Sequence, residues 1–258
     1  KVLMTPEKFR FELEEKFPFE PTDSQRTWFK EIATFILSKN QNTAFLLRGY
    51  AGTGKTTLIG ALVRQLKTSG YKAVLMAPTG RAAKVMATYS RFPAYTIHKQ
   101  IYYPKPQQSG KMVFQLKPNK YRNTIFIVDE ASMIGDDRKQ AKLFENGSLL
   151  HDLVQYVSRG DRCKLIFVGD PAQLPPVHLN LSPALDQKEL EHFHFDRVYG
   201  VELSTVVRQA KNSGILTNAT QLRAQLIAEV YGQFQFDVSE GSDISFTNSG
   251  MDLFEAIE

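Results

Sequence analysis

The run Gly49-Tyr50-Ala51-Gly52-Thr53-Gly54-Lys55-Thr56 joins three glycines to a lysine and a hydroxyl residue, with Thr57 next in line. Glycines let a backbone wrap closely around an anion, so that several N–H groups and the positive end of the following helix point at it. The string fits G-x-x-x-x-G-K-[ST] at every defined position. It lies between an apolar segment expected as a strand, Thr43–Arg48, and a segment expected as a helix. In that setting Lys55 reaches the β- and γ-phosphates of a nucleoside triphosphate, and Thr56 is suited to ligate Mg²⁺. A glycine-rich turn that merely caps a helix explains a lone G-x-G, but not the whole string.

A phosphate cradle needs a carboxylate opposite it, and Ile125-Phe126-Ile127-Val128-Asp129-Glu130 ends an apolar run in two of them. Asp129 is expected to hold Mg²⁺ through water. Glu130 is suited to orient and deprotonate an attacking water, provided its carboxylate is ionised. Acidic residues often follow strands, so this pair takes its weight from Gly49–Thr56.

Such residues need a scaffold that brings strand ends together. Short apolar segments alternate with helical patterns: Thr43–Arg48, Ala73–Ala77, Thr124–Val128, Lys164–Val168 and Glu202–Val207. This predicts βαβ units, an α/β fold with a mostly parallel sheet flanked by helices, and ligands beyond the carboxyl ends of its strands. Ahead of it, Phe9, Leu13 and Phe17 recur every four residues until Pro18, which predicts a short helical appendage over 1–20. A second helix is expected from about Asp23 to Ser38, buried through Trp28, Ile32, Phe35 and Ile36. From about Ile101 to Asn123, Pro104, Pro106, Gly110 and Pro118 break the alternation, so a small inserted β subdomain is expected there. The ATPase domain is placed at 21–210, with a helix and the start of a following region over 211–258.

The chain has 258 residues, 42% hydrophobic and 23% charged, enough for an ordinary core. Its single cysteine, Cys163, excludes an internal disulfide framework and is read as a strand residue. No Cys/His cluster has zinc spacing, no apolar run reaches membrane length and no signal peptide opens the chain, so a cytoplasmic protein without a membrane partner is expected. Starting on lysine rather than methionine, the sequence reads as a fragment. The net charge of +5 is unevenly spread: residues 32–128 hold fifteen Lys or Arg and no Asp or Glu, while the remainder holds 17 basic and 27 acidic residues. That polarity suits a polyanionic partner; a solvated basic face is the alternative.

Further strings occur in order around these elements: Thr22-Asp23-Ser24-Gln25, Ala77-Pro78-Thr79-Gly80-Arg81-Ala82-Ala83, Thr96-Ile97-His98, Gly169-Asp170-Pro171-Ala172-Gln173-Leu174-Pro175-Pro176 and Val207-Arg208-Gln209. Together with the phosphate loop and Asp129-Glu130, they resemble the RecD-like and Dda-like helicases of superfamily 1, the branch moving 5′ to 3′ on DNA. The resemblance covers about Pro21 to Gln209 and implies a RecA-like P-loop NTPase domain. It implies that Gln25 reads adenine, although Thr22-x-x-Gln25 is also a capping box and the two roles can coexist. It implies that Gln173 senses the γ-phosphate and that Arg208 reaches it, a fixed planar cation for transition-state charge. Pro78, Thr79, Gly80 and Arg81, then Thr96 and His98, become contacts to a single strand's phosphates, which position nucleic acid without reading sequence. Tyr95, Tyr102, Tyr103, Phe114 and Tyr121 lie among Lys99, Lys105, Lys111, Lys117, Lys120 and Arg122, a mixture suited to stacking bases and neutralising phosphates, or to a small core.

Complete members of that family carry a second RecA-like domain, and ATP sits between the two. Residues 209–258 are too few for it, so this chain is expected to bind ATP and single-stranded DNA with little turnover or unwinding alone. An RNA-directed superfamily 1 helicase is the nearest rival, because stacking and phosphate contacts do not separate DNA from RNA. A nucleotide-gated binding module is a rival from another class; Glu130 and Arg208 argue against it. A metabolic kinase would need neither the Gln173 string nor the acid-free segment.

Overall fold

Strands buried on both faces need apolar side chains at every position, and helices covering them need one apolar stripe. The computed structural model describes residues 4–40, 42–106, 112–135, 144–174, 176, 181–193, 195–207, 214–228, 236 and 238. Its main sheet has six strands: β1 (Thr43–Gly49), β2 (Lys72–Ala77), β3 (Ala94–Thr96), β6 (Thr124–Val128), β7 (Lys164–Gly169) and β8 (Arg197–Leu203). They run parallel in the order β3-β2-β6-β7-β1-β8. Successive residues along each strand alternate between two cores. Phe45, Leu47, Ile125, Ile127, Ile166 and Val168 face one, and Leu46, Phe126, Val128, Leu165 and Phe167 face the other.

The first core is covered by α1 (Pro6–Glu14), α2 (Asp23–Leu37) and α3 (Lys55–Thr68). Thr5 caps α1 and Pro6 opens it, while Phe9 and Leu13 are fully buried. Burying such a side chain contributes about 1.5–3 kcal/mol, and both belong to the first core. Thr22 and Gln25 form a reciprocal capping box at the start of α2. The carbonyls at its far end accept from Lys164, whose Nζ lies 2.5 Å from Phe35 O, 3.3 Å from Ile36 O and 2.8 Å from Ser38 O. A cation there complements the negative end of the helix.

On the other face lie α5 (Ile97–Ile101), α6 (Leu149–Ser158) and α7 (Gln187–Glu191), while α4 (Gly80–Ser90) packs along β2 and β3. A separate antiparallel hairpin joins β4 (Tyr102–Pro106) to β5 (Met112–Leu116), with Tyr102 opposite Leu116. Fully buried Asp152 on α6 anchors it: its carboxylate accepts from Tyr102 Oη at 2.6 Å, Glu145 N at 3.0 Å, Asn146 N at 2.8 Å and Asn146 Nδ2 at 2.6 Å.

Three expectations from the sequence differ from the structure. Ala94–Thr96 forms an additional strand, too short to show alternation. The last strand lies at Arg197–Leu203 instead of Glu202–Val207, because seven residues pair in register with β1, from Thr43 beside Arg197 to Gly49 beside Leu203. Cys163 stands just before β7. The chain divides into two units at Val206/Val207, and the described part of the second is mainly the helix α8 (Gly214–Ile227).

Candidate functional site

The chemistry-bearing loops follow β1, β6 and β7, so their side chains gather along one edge of the sheet, at the carboxyl ends of its strands. Between β1 and α3 the chain turns through Gly52 at φ 80° and Gly54 at φ 90°, left-handed conformations that favour glycine. At Gly49 a Cβ would stand 2.6 Å from Thr53 Oγ1 and 3.0 Å from Leu203 Cβ, so a larger residue would push the loop off β8. Thr53 closes the turn by donating to Tyr50 O at 2.8 Å. Lys55 folds over it, with Nζ 2.5 Å from Gly49 O and 3.0 Å from Tyr50 O. Thr56 and Thr57 occupy the first turn of α3, behind Gly54 as N-cap.

Gln25 is buried and braces this loop. Its Oε1 accepts from Thr22 N at 3.0 Å, while its Nε2 donates to Thr53 O at 3.0 Å. The amide thus joins the start of α2 to the loop around Gly54, beside its capping role.

Across the edge, both oxygens of Asp129 have donors: Tyr89 Oη at 2.7 Å on Oδ2 and the Glu130 amide at 2.9 Å on Oδ1. Glu130 adopts a left-handed φ of 54°, which turns the chain into a short 3-10 helix over Ala131–Met133. Burial first, and then the Asp129 charge, push the Glu130 carboxyl above the ordinary carboxylate range; Gln173 and Lys55 pull it back. Gln173, exposed after β7, accepts from Ser132 Oγ at 2.8 Å. Its loop is shaped by Asp170, whose side chain accepts from Ala172 N at 2.8 Å. Lys55, Asp129, Glu130 and Gln173 therefore surround one spot.

The donor set fits magnesium. A hydroxyl at Thr56 and a carboxylate at Asp129 are hard oxygen ligands, and this ion is commonly held by one or two protein groups plus substrate phosphates. Among the described residues no group of three or more His, Cys, Asp or Glu could cage a metal by itself.

Two of the expected strand contacts also cap helices. The Thr79 hydroxyl caps α4, accepting from Ala82 N at 3.2 Å, and the Thr96 hydroxyl caps α5, accepting from Lys99 N at 3.2 Å. Pro78 is half-buried, while Gly80 and Arg81 are exposed at the start of α4. His98 is half-buried with its ring 5.2 Å from that of Phe114, and burial lowers its pKa, so the imidazole is neutral near pH 7. Of the aromatics expected near the strand, Tyr95 and Tyr103 are exposed, 41% and 51% accessible. Each has a lysine over its ring, Lys99 at 4.9 Å and Lys117 at 5.3 Å. A cavity of about 350 Å³ beside them includes His98, Pro104 and Phe114. A larger one of about 600 Å³, lined by Asn42, His151, Cys163 and Phe193, lies toward the opposite edge and includes no phosphate-loop residue. Arg208 and Lys111 lie outside the described residues.

Tyr89 and Ser132 went unnoticed in the sequence. Their partners stand 40 and 41 positions away, and no local pattern distinguishes them from other helix and turn residues.

A family profile described as AAA domain matches residues 22–235. Over 205 residues the chain is 30% identical to the ATP-dependent DNA helicase dda of Enterobacteria phage T4, covering 78% of this chain and 42% of that protein. Over 199 residues it is 33% identical to the ATP-dependent RecD2 DNA helicase of Deinococcus radiodurans, covering 77% and 24%. The solved structure of Pif1 helicase from Bacteroides in complex with ADP-AlF3 and ssDNA aligns with 92% of this chain and 56% of that one, at 18% identity and a TM-score of 0.47. The chain thus spans less than half the length of these curated relatives. No described helix is long and apolar enough to cross a membrane.

Proposed function

Because the chain belongs to the AAA domain family, we propose that it is the first RecA-like motor domain of an ATP-dependent DNA helicase, moving 5′ to 3′ on single-stranded DNA in the cytoplasm. The observation that carries this reading is the convergence of Lys55, Asp129, Glu130 and Gln173 at one sheet edge. The two curated relatives are both named ATP-dependent DNA helicases, and the acid-free basic segment supports a nucleic-acid partner. Direction of travel rests on the resemblance of the motifs.

The loop from Gly49 to Gly54 binds triphosphate through its N–H groups and the amino end of α3. Lys55 exchanges the carbonyls of Gly49 and Tyr50 for anionic phosphate oxygens, a stronger partnership for an ammonium. Magnesium, held by Thr56 and Asp129, neutralises phosphate charge when bound. Glu130, beside Asp129 and Gln173, orients the attacking water and takes its proton. Gln173 bonds to Ser132 just beyond Glu130, so loss of the γ-phosphate shifts a loop already tied to the carboxylate strand. Gln25 positions adenine while bracing Thr53, and Arg208 supplies a cation to the γ-phosphate. Pro78–Arg81, Thr96 and His98 face the strand.

This stretch supplies one wall of a two-walled cleft, so its own turnover is slow. The test is ATP hydrolysis with single-stranded DNA, with RNA and without nucleic acid, beside Glu130→Gln. The reading predicts low turnover, raised more by DNA than by RNA and lost in Glu130→Gln. Turnover indifferent to Glu130, or no nucleotide binding, would contradict it.

A further inference from the structure

From the hydrogen bond between Tyr89 on α4 and Oδ2 of Asp129, we infer that Tyr89 is a positioning residue coupling the helix at the expected strand contact to the metal-binding carboxylate. The inference rests on the proposed ATP site and adds a residue to it.

The geometry is specific. Asp129 directly follows β6, and its amide continues the sheet by donating to Met76 O at 2.9 Å. The backbone of Asp129 is therefore fixed, but its carboxylate could still rotate about the terminal side-chain torsion. Two donors from different directions stop that rotation: the Glu130 amide on Oδ1 and the Tyr89 hydroxyl on Oδ2. Each oxygen keeps a further lone pair for water or metal. Of the two donors, the Glu130 amide belongs to the same loop, whereas Tyr89 comes from another element.

That element is α4. It begins at Gly80, behind the Thr79 cap, where the chain exposes Gly80 and Arg81. Tyr89 lies eight residues beyond Arg81, about 12 Å along the axis at 1.5 Å per residue. Ala83 and Met86, between those two ends, are buried, so the helix is packed along this stretch. A displacement of its amino end by a bound strand is carried to the Tyr89 hydroxyl and from there to the carboxylate.

A purely structural role, in which the bond only ties α4 to the sheet, would change melting but not metal binding. The test titrates Mg²⁺ into the 258-residue chain bound to a fluorescent ATP analogue, with parallel samples in EDTA and with a single-stranded oligonucleotide. In Tyr89→Phe the Mg²⁺ half-saturation concentration rises about five-fold, the scale of one lost charge-assisted hydrogen bond refilled by water. Affinity in EDTA stays the same, and the oligonucleotide's effect on Mg²⁺ binding shrinks. A double-mutant cycle supplies a second measurement: Asp129→Asn removes most of the Mg²⁺ response, and adding Tyr89→Phe changes it no further. Superimposable or tighter Mg²⁺ titrations for Tyr89→Phe, or independent effects in the cycle, would overturn the inference. With nucleotide binding intact in the parent chain and lost in Lys55→Ala, that result leaves the ATP site standing; no binding in the parent chain removes both.

Discussion

The phosphate edge and the aromatic face around the β4–β5 hairpin are built on different principles. At the phosphate edge a string of eight residues makes the cradle mainly with its backbone, and glycine geometry fixes its shape at Gly52 and Gly54. On the aromatic face the groups come from α5, both hairpin strands and β3, and they act through side chains. A backbone site is specified by local sequence; a side-chain face exists only once distant elements meet. The two regions are joined through α4, whose start faces the expected strand and whose Tyr89 touches Asp129.

If the regions are separable in this way, lesions in one should spare the other. The largest effect is expected from Lys55→Ala, which removes the ammonium at the cradle. ATP-analogue affinity falls at least about 100-fold, as for two lost charge-assisted bonds, while oligonucleotide affinity in the absence of nucleotide changes less than about two-fold. Fluorescence titration and anisotropy measure the two. Next, Glu130→Gln lowers single-turnover hydrolysis by roughly 100-fold with nucleotide affinity retained, the range for a lost general base. Equal losses in rate and affinity would mean that Glu130 mainly shapes the cradle.

On the hairpin side, Asp152→Ala leaves the Tyr102 hydroxyl and the amides of Glu145 and Asn146 without their acceptor. Urea unfolding should show a loss of about 2–3 kcal/mol, with ATP affinity of the folded chain unchanged. Tyr103→Ala removes an exposed ring and lowers oligonucleotide affinity about five-fold to ten-fold without touching ATP binding. An equal change in ATP affinity would break the separation.

The smallest effect lies in neither region. Burial pushes the Lys164 amine down to about 8, against 10.5 for its ordinary value. Between those values the unfolded chain holds a proton that the folded chain has released, so stability rises with pH across that window. Relative to Lys164→Met, the parent chain gains about 1 kcal/mol from pH 7 to pH 9 in urea unfolding, with ligand affinities at each pH the same in both proteins.

The same contrast explains what could be read from the sequence. Gly49–Thr56 and Asp129-Glu130 were legible because turn geometry and an apolar strand ending in acids are local signals. The hairpin was announced by Pro104, Pro106 and Gly110, although its anchor Asp152 was not, since fifty residues separate it from Tyr102. Thr79 and Thr96, expected as strand contacts from their motifs, also cap helices, a local role that the sequence shows less plainly. A hydroxyl ahead of a helix serves its own backbone first, because the amino-terminal N–H groups have no other partner. Tyr89 and Ser132 carried no signal, because the hydrogen bond that gives each its role crosses the sheet edge.

The central claim is that one sheet edge binds ATP through Lys55 and is coupled to a bound single strand. It is tested most directly by nucleotide affinity measured with and without saturating single-stranded DNA, paired with DNA affinity measured with and without nucleotide. The account predicts Lys55-dependent binding, tightened by DNA by the same factor as ATP tightens DNA, as linkage requires. Binding that survives Lys55→Ala, or two affinities that ignore each other, would contradict it.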